Sequence, residues 1–260
     1  MSTAAELLAV YDAQLRGEKD TAAATDRLRL GPLWLGVFAG HRGFIGYRDL
    51  GGLSGGGLRA LVRDATAALA ADPAIAEIEW KTRGHDEADG LPEALREAGY
   101  EPQEPESIMI GASELLALDL PLPDGVVLRS VTELDDVRAA SFAADRAFGE
   151  EPNEARALET MARIAVGDEV WVAEAESGIV CTGRLSPVPG TDFAGIWGGA
   201  TRPGWRRLGT YRALTAERAK SAVRRGVRYI TSDSTECSRP ILERSGFIKV
   251  STTTPYEWHR

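Results

Sequence analysis

The sequence predicts an α/β (α+β) protein, a mixed sheet flanked by helices and preceded by a smaller α/β domain. Three observations predict it. Residues 126–258 alternate short apolar runs with amphipathic stretches in the order β-α-α-β-β-β-α-β-α-β, which gathers them around one sheet. A glycine-rich strand end at 198–201 runs through a turn of Arg, Pro and Gly into a helix. Leu120-Pro121-Leu122-Pro123-Asp124-Gly125 interrupts regular structure, because proline removes an N–H donor and restricts the backbone. The domain boundary is therefore drawn between residues 121 and 122.

The elements follow in order. Thr3-Ala4-Ala5-Glu6 has the form of a capping box, so a first helix starts there and runs to Arg16, stopped by Gly17. Strands are expected at 33–38 and 43–49. The turn Gly51-Gly52-Leu53-Ser54-Gly55-Gly56-Gly57 leads to a helix over 58–71, then a strand over 75–80. A helix over 91–98 is stopped by Gly99 in a left-handed cap, and a strand follows at 107–110. Beyond the boundary come a strand at 126–131, helices at 134–147 and 152–166, and a hairpin of 170–175 with 179–185 around Ser177-Gly178. A strand at 193–201, a helix from Arg206 to Arg225 and a strand at 227–232 succeed it. The chain finishes with a helix at 238–245 and extended segments at 247–252 and 256–258. Leu95-x-x-x-Gly99-Tyr100 and Leu242-x-x-x-Gly246-Phe247 are alike, which hints at an internal repeat.

Composition limits the function. At 260 residues with 43% apolar and 27% charged residues, the chain has ordinary globular composition and length for a real core. A net charge of -9 speaks against a nucleic-acid partner, whose affinity rests on neutralised phosphates. Cys181 and Cys237 lack metal-ligand spacing, and His41, His85 and His259 are scattered, so no metal site is expected. No signal peptide or membrane span is legible, and the expected compartment is the cytoplasm.

The chemistry concentrates at Gly198-Gly199-Ala200-Thr201-Arg202-Pro203-Gly204-Trp205-Arg206-Arg207-Leu208-Gly209-Thr210-Tyr211. The first N–H groups of a helix lack intrahelical acceptors, and the helix dipole is positive at that end. Arginines beside such an end add charge-assisted bonds, so the turn reads as a phosphate site. The turn lacks the Gly patterns of phosphate-loop ATPases and of dinucleotide folds. The glycines at 51–57 also precede a helix, but no arginine lies within them.

The segment resembles the acyl-coenzyme A site of the GNAT acetyltransferase superfamily. Arg206-Arg207-Leu208-Gly209-Thr210-Tyr211 matches that family's Arg/Gln-x-x-Gly-x-Gly/Ala signature except at its last position. Pro240-Ile241-Leu242-Glu243-Arg244-Ser245-Gly246-Phe247 resembles its closing helix and Gly-Phe junction. The likeness covers 125–258, and residues 1–121 are read as a partial copy of the same fold. The resemblance implies an acetyl-coenzyme A-dependent N-acetyltransferase whose acceptor is the amine of a small molecule or peptide. A catalytically weak acyl-coenzyme A-binding sensor or subunit is the alternative. The pyrophosphate is expected on Arg206, Arg207, Leu208, Gly209, Thr210 and Tyr211, and the pantetheine arm along Gly199, Ala200 and Thr201. Thr235 stands where the family often has a pantetheine-binding asparagine. An exposed strand edge could pair in a homodimer.

Arg207 replaces a common glycine, Tyr211 a small residue, and Leu242 a tyrosine that serves many members as general acid. Leucine cannot donate a proton, which leaves Cys237, Ser238, Tyr256 or solvent. Asp233 and Glu236, just past a strand end, are the candidate general bases. Arg202 and Arg212 are expected in solvent or paired with acidic neighbours, and Trp171, Trp197 and Trp205 in the core rather than as substrate platforms, with Trp205 the exception to watch because it lies in the loop itself.

Overall fold

The structure, a computed structural model, describes residues 2–260. In chain order its elements are α1 (Ala4–Leu15), a 3₁₀ turn (Gly17–Thr21), β1 (Asp26–Leu30), β2 (Leu33–Phe38), β3 (Arg42–Tyr47), α2 (Gly55–Ala70), β4 (Glu77–Arg83), α3 (Leu91–Glu97), β5 (Glu101–Pro102), β6 (Glu106–Ala112) and α4 (Ser113–Leu116). They continue with β7 (Val127–Val131), α5 (Leu134–Phe148), α6 (Glu154–Ala165), β8 (Glu169–Ala175), β9 (Gly178–Pro187), β10 (Phe193–Thr201), a 3₁₀ turn (Pro203–Trp205), α7 (Thr210–Arg224), β11 (Tyr229–Ser234), α8 (Arg239–Ser245) and β12 (Ile248–His259). The chain forms two compact units. The first gathers the residues through Ile108 with Asp233–Glu236 and Val250–Arg260; the second holds Met109–Ser232 and Cys237–Lys249.

In the first unit β1, β2 and β3 form an antiparallel meander. Helix α2 then crosses over so that β4 runs parallel to β3. Thr253–His259 of β12 pairs antiparallel with β4. Strand β4 alternates strictly, as a pleated backbone requires. Ile78 and Trp80 enter a core with Leu33, Leu35, Ile45, Val62, Leu95 and Tyr256, while Glu79, Lys81 and Arg83 carry the charges of the other face. The capping box of α1 is present: Glu6 N donates to Thr3 Oγ1, and Thr3 N to Glu6 Oε2.

The second unit repeats this logic at greater length. Strands β7, β8, β9 and β10 are antiparallel, and α7 crosses over to set β11 parallel to β10. Helices α7 and α8 cover one face, with Ala219, Ala222 and Leu242 against Leu185, Ile196 and Ile230. Helices α5 and α6 cover the other, with Val137, Ala140, Met161 and Ile164 against Val131, Val170 and Val172.

The structure departs from the sequence reading at several places. The 120–125 segment does not mark where the compact units meet in sequence, because they divide between Ile108 and Met109. Leu122 packs on the Val126, Ala173 and Val180 cluster, which holds its segment in the second unit. The end of the chain belongs to the first unit through its pairing with β4. The two final extended segments are one strand, since Pro255 stays in register with Lys81 and its carbonyl accepts from Gln103 N. Strand β1 went unseen because it is an edge strand, exposed along nearly its whole length, and needs no apolar face.

The repeat hint has a geometric counterpart within each unit. Helices α3 and α8 both begin with proline in the first turn and both end on a left-handed glycine, Gly99 at φ 90° and Gly246 at φ 104°. In each, the next aromatic N–H returns to a buried leucine carbonyl: Tyr100 N to Leu95 O and Phe247 N to Leu242 O, both at 3.0 Å. Gly99→Ala and Gly246→Ala are each expected to cost about 1 kcal/mol, since a Cβ is disfavoured in this conformation. Chemical-denaturation midpoints check this, and unchanged midpoints would contradict it.

Candidate functional site

Strand β10 sets the geometry. Its apolar start, Phe193 to Ile196, is buried, and Phe193–Gly195 pairs parallel with Tyr229–Thr231 of β11. That pairing ends at Gly195, yet β10 continues to Thr201 against β9. Its register slips between Trp197 and Ala200, where Gly198 takes φ 60°, the mark of a bulge. From Ile196 onward the strand therefore presents an unpaired edge on the β11 side. At the fork, the Thr231 hydroxyl is buried and meets no partner.

The turn that follows is tied down by its own backbone. Arg202 N donates to Val180 O, and Trp205 N to Arg202 O. Trp205, partly buried, packs against the Val180 and Cys181 cluster from the loop. Arg207 then takes φ 66°, a conformation that glycine holds without strain, and Gly209 takes φ 84° at the cap of α7. Among the described residues, the N–H groups of 207–212 meet no backbone or side-chain acceptor. In the first turn of α7 the Thr210 hydroxyl and Arg212 Nε are also buried without a partner. Unmatched buried donors are rare in folded proteins, and two of the seven side-chain atoms in that state among the described residues lie in this one turn, at a helix N-terminus.

The charge pattern is consistent with an anion site. Arg129 pairs with Asp136 and Glu174, Arg138 with Glu154, and Arg156 with Asp145 and Glu150. By contrast Arg146, Arg202, Arg206, Arg207 and Arg212 reach no carboxylate among the described residues. Of the two expectations for Arg202 and Arg212, solvent or an acidic partner, neither side chain meets the second: Arg202 donates to Ser177 O at an exposed position, and Arg212 keeps a buried unmatched Nε. Arg206 clamps the turn, donating to Thr201 O at 3.1 Å and to Ala147 O at 3.0 Å. Sequence reasoning left Arg212 out of the anion site because its burial could not be judged before the helix was placed.

Structure brings together Gly199, Ala200, Thr201 and the residues of 206–211 within the second unit. Ala200 and Thr201 keep pairing β9, and Thr201 Oγ1 lies 3.1 Å from Cys181 Sγ. Leu242 is fully buried in the core. Ser238 holds the N-cap position of α8 without a capping bond. Tyr256 is buried in the core of the first unit, where it offers no donor to an open site.

Asp233, Thr235 and Glu236 group with the first unit. Thr235 and Glu236 are exposed. Asp233 Oδ2 accepts from Lys81 Nζ at 2.9 Å, with both side chains largely buried. Burial works against the Lys81 charge, but Asp233 and Glu79 outweigh it and hold the ammonium above its ordinary range. Asp233 is thereby an ion-pair partner rather than a free base. Glu106, in the same unit, makes no hydrogen bond or ion pair among the described residues. Burial pushes its carboxyl up; Lys81 opposes this, and Asp233 and Glu79 add to it. The folded state therefore holds this proton more tightly than the unfolded chain. That advantage is complete below the unfolded value and is lost as pH rises through the folded one. Glu106→Gln should accordingly raise stability at neutral pH and leave it unchanged in acid below the usual carboxylate range. Denaturation at both pH values checks the sign.

No family model matches the sequence, and no curated protein is similar to it in sequence. Solved structures are similar in fold. A GCN5-related N-acetyltransferase from Kribbella flavida is similar at a TM-score of 0.71 and 16% identity, over 99% of this chain and 96% of that one. Another from Sphaerobacter thermophilus gives 0.62 and 19%, over 88% and 76%. A tandem GNAT protein from the clavulanic acid biosynthesis pathway gives 0.61 and 17%, over 89% and 81%. Among the described residues no group of side chains is arranged to hold a metal ion, and no helix is long and apolar enough to cross a membrane. The forked strand, the turn and the crossover helix thus sit in a chain that has the fold of the GNAT N-acetyltransferases.

Proposed function

We propose that the chain is an acetyl-coenzyme A-dependent N-acetyltransferase, in which an acceptor amine attacks the thioester carbon directly. One observation carries this reading. Unmatched donors at the start of α7 stand next to the unpaired edge of β10 in one compact unit. A pyrophosphate suits the N–H groups of 207–212, the Thr210 hydroxyl and Arg212. The amides of a pantetheine arm suit the open edge along Gly199 to Thr201, as an added strand would. A backbone N–H on that edge would favour the oxyanion that develops during attack. The net charge of -9 would draw a cationic amine, on a small molecule or a peptide.

The second reading is an acyl-coenzyme A-binding protein that transfers nothing. It is favoured by Leu242, a core leucine at the place where the resemblance expects a proton donor.

Calorimetric titration with acetyl-coenzyme A tests both. Arg212→Ala should weaken binding about 10-fold or more, because a hydrogen bond to a charged group contributes roughly 1.5–3 kcal/mol, and Arg206→Ala should weaken it by releasing the turn that Arg206 clamps to Thr201 O and Ala147 O. A wild-type protein that does not bind acetyl-coenzyme A removes both readings. Release of free thiol on adding a panel of primary amines separates the enzyme from the binding protein.

A further inference from the structure

Three side chains from distant parts of the sequence form one hydrogen-bonded chain within the first unit. The Ser251 hydroxyl, on β12, lies 2.7 Å from His85 Nδ1, and His85 Nε2 lies 3.1 Å from Asp12 Oδ1, on α1. A carboxylate only accepts, so the imidazole proton belongs on Nε2, and Nδ1 is left to accept from the Ser251 hydroxyl. Arg16 Nη1 also comes within 3.4 Å of Nε2, but it is held by its 2.6 Å bond to Asp86 Oδ1. It faces Asp12 at 3.5 Å too, which fixes the place of that carboxylate. His85 thus has the tautomer of a general base, with a hydroxyl on one side and an orienting carboxylate on the other.

The surroundings hold this chain in place without sealing it. His85 sits in the turn after β4, and its neighbour Asp86 accepts from Arg16, from the Tyr47 hydroxyl at 2.6 Å and from Arg83 N. Gly84 N donates to Thr252 O, and a methyl group on Gly84 would lie 2.2 Å from Thr252 Oγ1, so the turn is seated on β12 beside Ser251. Buried pairs already tie α1 and the 3₁₀ turn after it to this region, Arg16 with Asp86 and Arg83 with Asp20. The Ser251–His85–Asp12 chain is therefore not needed for that attachment. It is also open to solvent: the His85 and Asp12 side chains are 21% and 25% exposed, and Ser251 is half-buried. The His85 N–H and the Thr252 hydroxyl meet no acceptor among the described residues, which leaves two donors for an oxyanion on residues that touch or adjoin Ser251.

We propose that Ser251 is a reactive nucleophile toward small activated esters, with His85 as its general base and Asp12 as the residue that positions His85. Ser251 Oγ forms a bond to the ester carbonyl carbon while its proton passes to His85 Nδ1, giving a tetrahedral oxyanion and an imidazolium. Asp12 favours that imidazolium. Collapse of the oxyanion breaks the C–O bond to the leaving group, and the electron pair stays on the leaving oxygen. That oxygen takes the proton from Nδ1, so an alcohol departs and an acyl-serine remains. Water then attacks the acyl carbon by the same route, releasing the carboxylic acid and restoring Ser251.

The test uses the full chain with an alkyl fluorophosphonate, which transfers its phosphonyl group to an activated serine with loss of fluoride. Intact mass follows the rate, and peptide mapping finds the residue. A single label is expected on Ser251, and none there after Ser251→Ala. His85→Gln and Asp12→Asn should each slow labelling about 100-fold, within the range of general base catalysis. Asp12→Glu should recover part of the rate, which a merely structural role for Asp12 would not predict. A wild-type chain that takes no label at Ser251, or takes it no faster than the chain unfolded in urea, overturns the proposal. So does a labelling rate unchanged in His85→Gln. If His85→Gln does not fold, an unchanged rate in Asp12→Asn overturns it instead. The acetyltransferase reading fails separately, since titration with acetyl-coenzyme A reports on residues of the second unit.

Discussion

The second unit is organised by the parting of β10 from β11 after Gly195. Up to that residue the strands satisfy each other's backbone groups, and the apolar residues between them are fully buried. Beyond it the backbone needs another partner or water. The bulge at Gly198 and the small residues that follow keep the opened edge accessible. Helix α7 must begin beyond the end of β10 and return to bring β11 alongside, so its N-terminus is delivered next to that edge. A parallel pair with a crossover helix produces this juxtaposition whatever the loop sequence. The loop sequence decides only what the juxtaposition can hold.

Charge is distributed with the same economy. The protein is acidic, and most arginines of α5 and α6 are answered by carboxylates a few ångströms away. Around the turn the answer is missing, and two side-chain donors of the α7 first turn are buried with nothing to bond. The first unit shows the opposite case. On the polar side of β4, Arg83 pairs with the buried Asp20 at 2.8 Å and Lys81 with Asp233 at 2.9 Å. Breaking such buried pairs costs several kcal/mol in typical proteins. Those charges are committed to holding the unit together, and that commitment removes Asp233 from the list of free bases.

Much of the fold was legible, and for identifiable reasons. The capping box at Thr3 and Glu6, the glycines that end α3 and α8, and the hairpin at Ser177-Gly178 are local signals with local causes. The strand–turn–helix at 198–211 was legible too, because glycine, proline and arginine punctuate it. Strand β1 was not, since an exposed edge strand leaves no alternation of apolar residues to read. Nor was the continuity of β12 through Pro255, where a missing N–H is tolerated because its place in the ladder uses the carbonyl.

The sequence by itself determined most of the order of elements, the position of the glycine-, proline- and arginine-rich turn before α7 and the leucine at 242. These depend on residue types and spacings over a few turns of chain. Only the tertiary structure decided which charges are spent and which are open. Arg206 is drawn into clamping carbonyls of Thr201 and Ala147, Asp233 into an ion pair with Lys81, and Tyr211 onto the face of Gly199. Arg206 and Ala147 are 59 residues apart in sequence and Asp233 and Lys81 are 152 apart, while Tyr211 and Gly199 lie in one segment whose fold back on itself the residue types do not show. Burial and partnership are properties of the packed chain, so no local pattern could have assigned those roles.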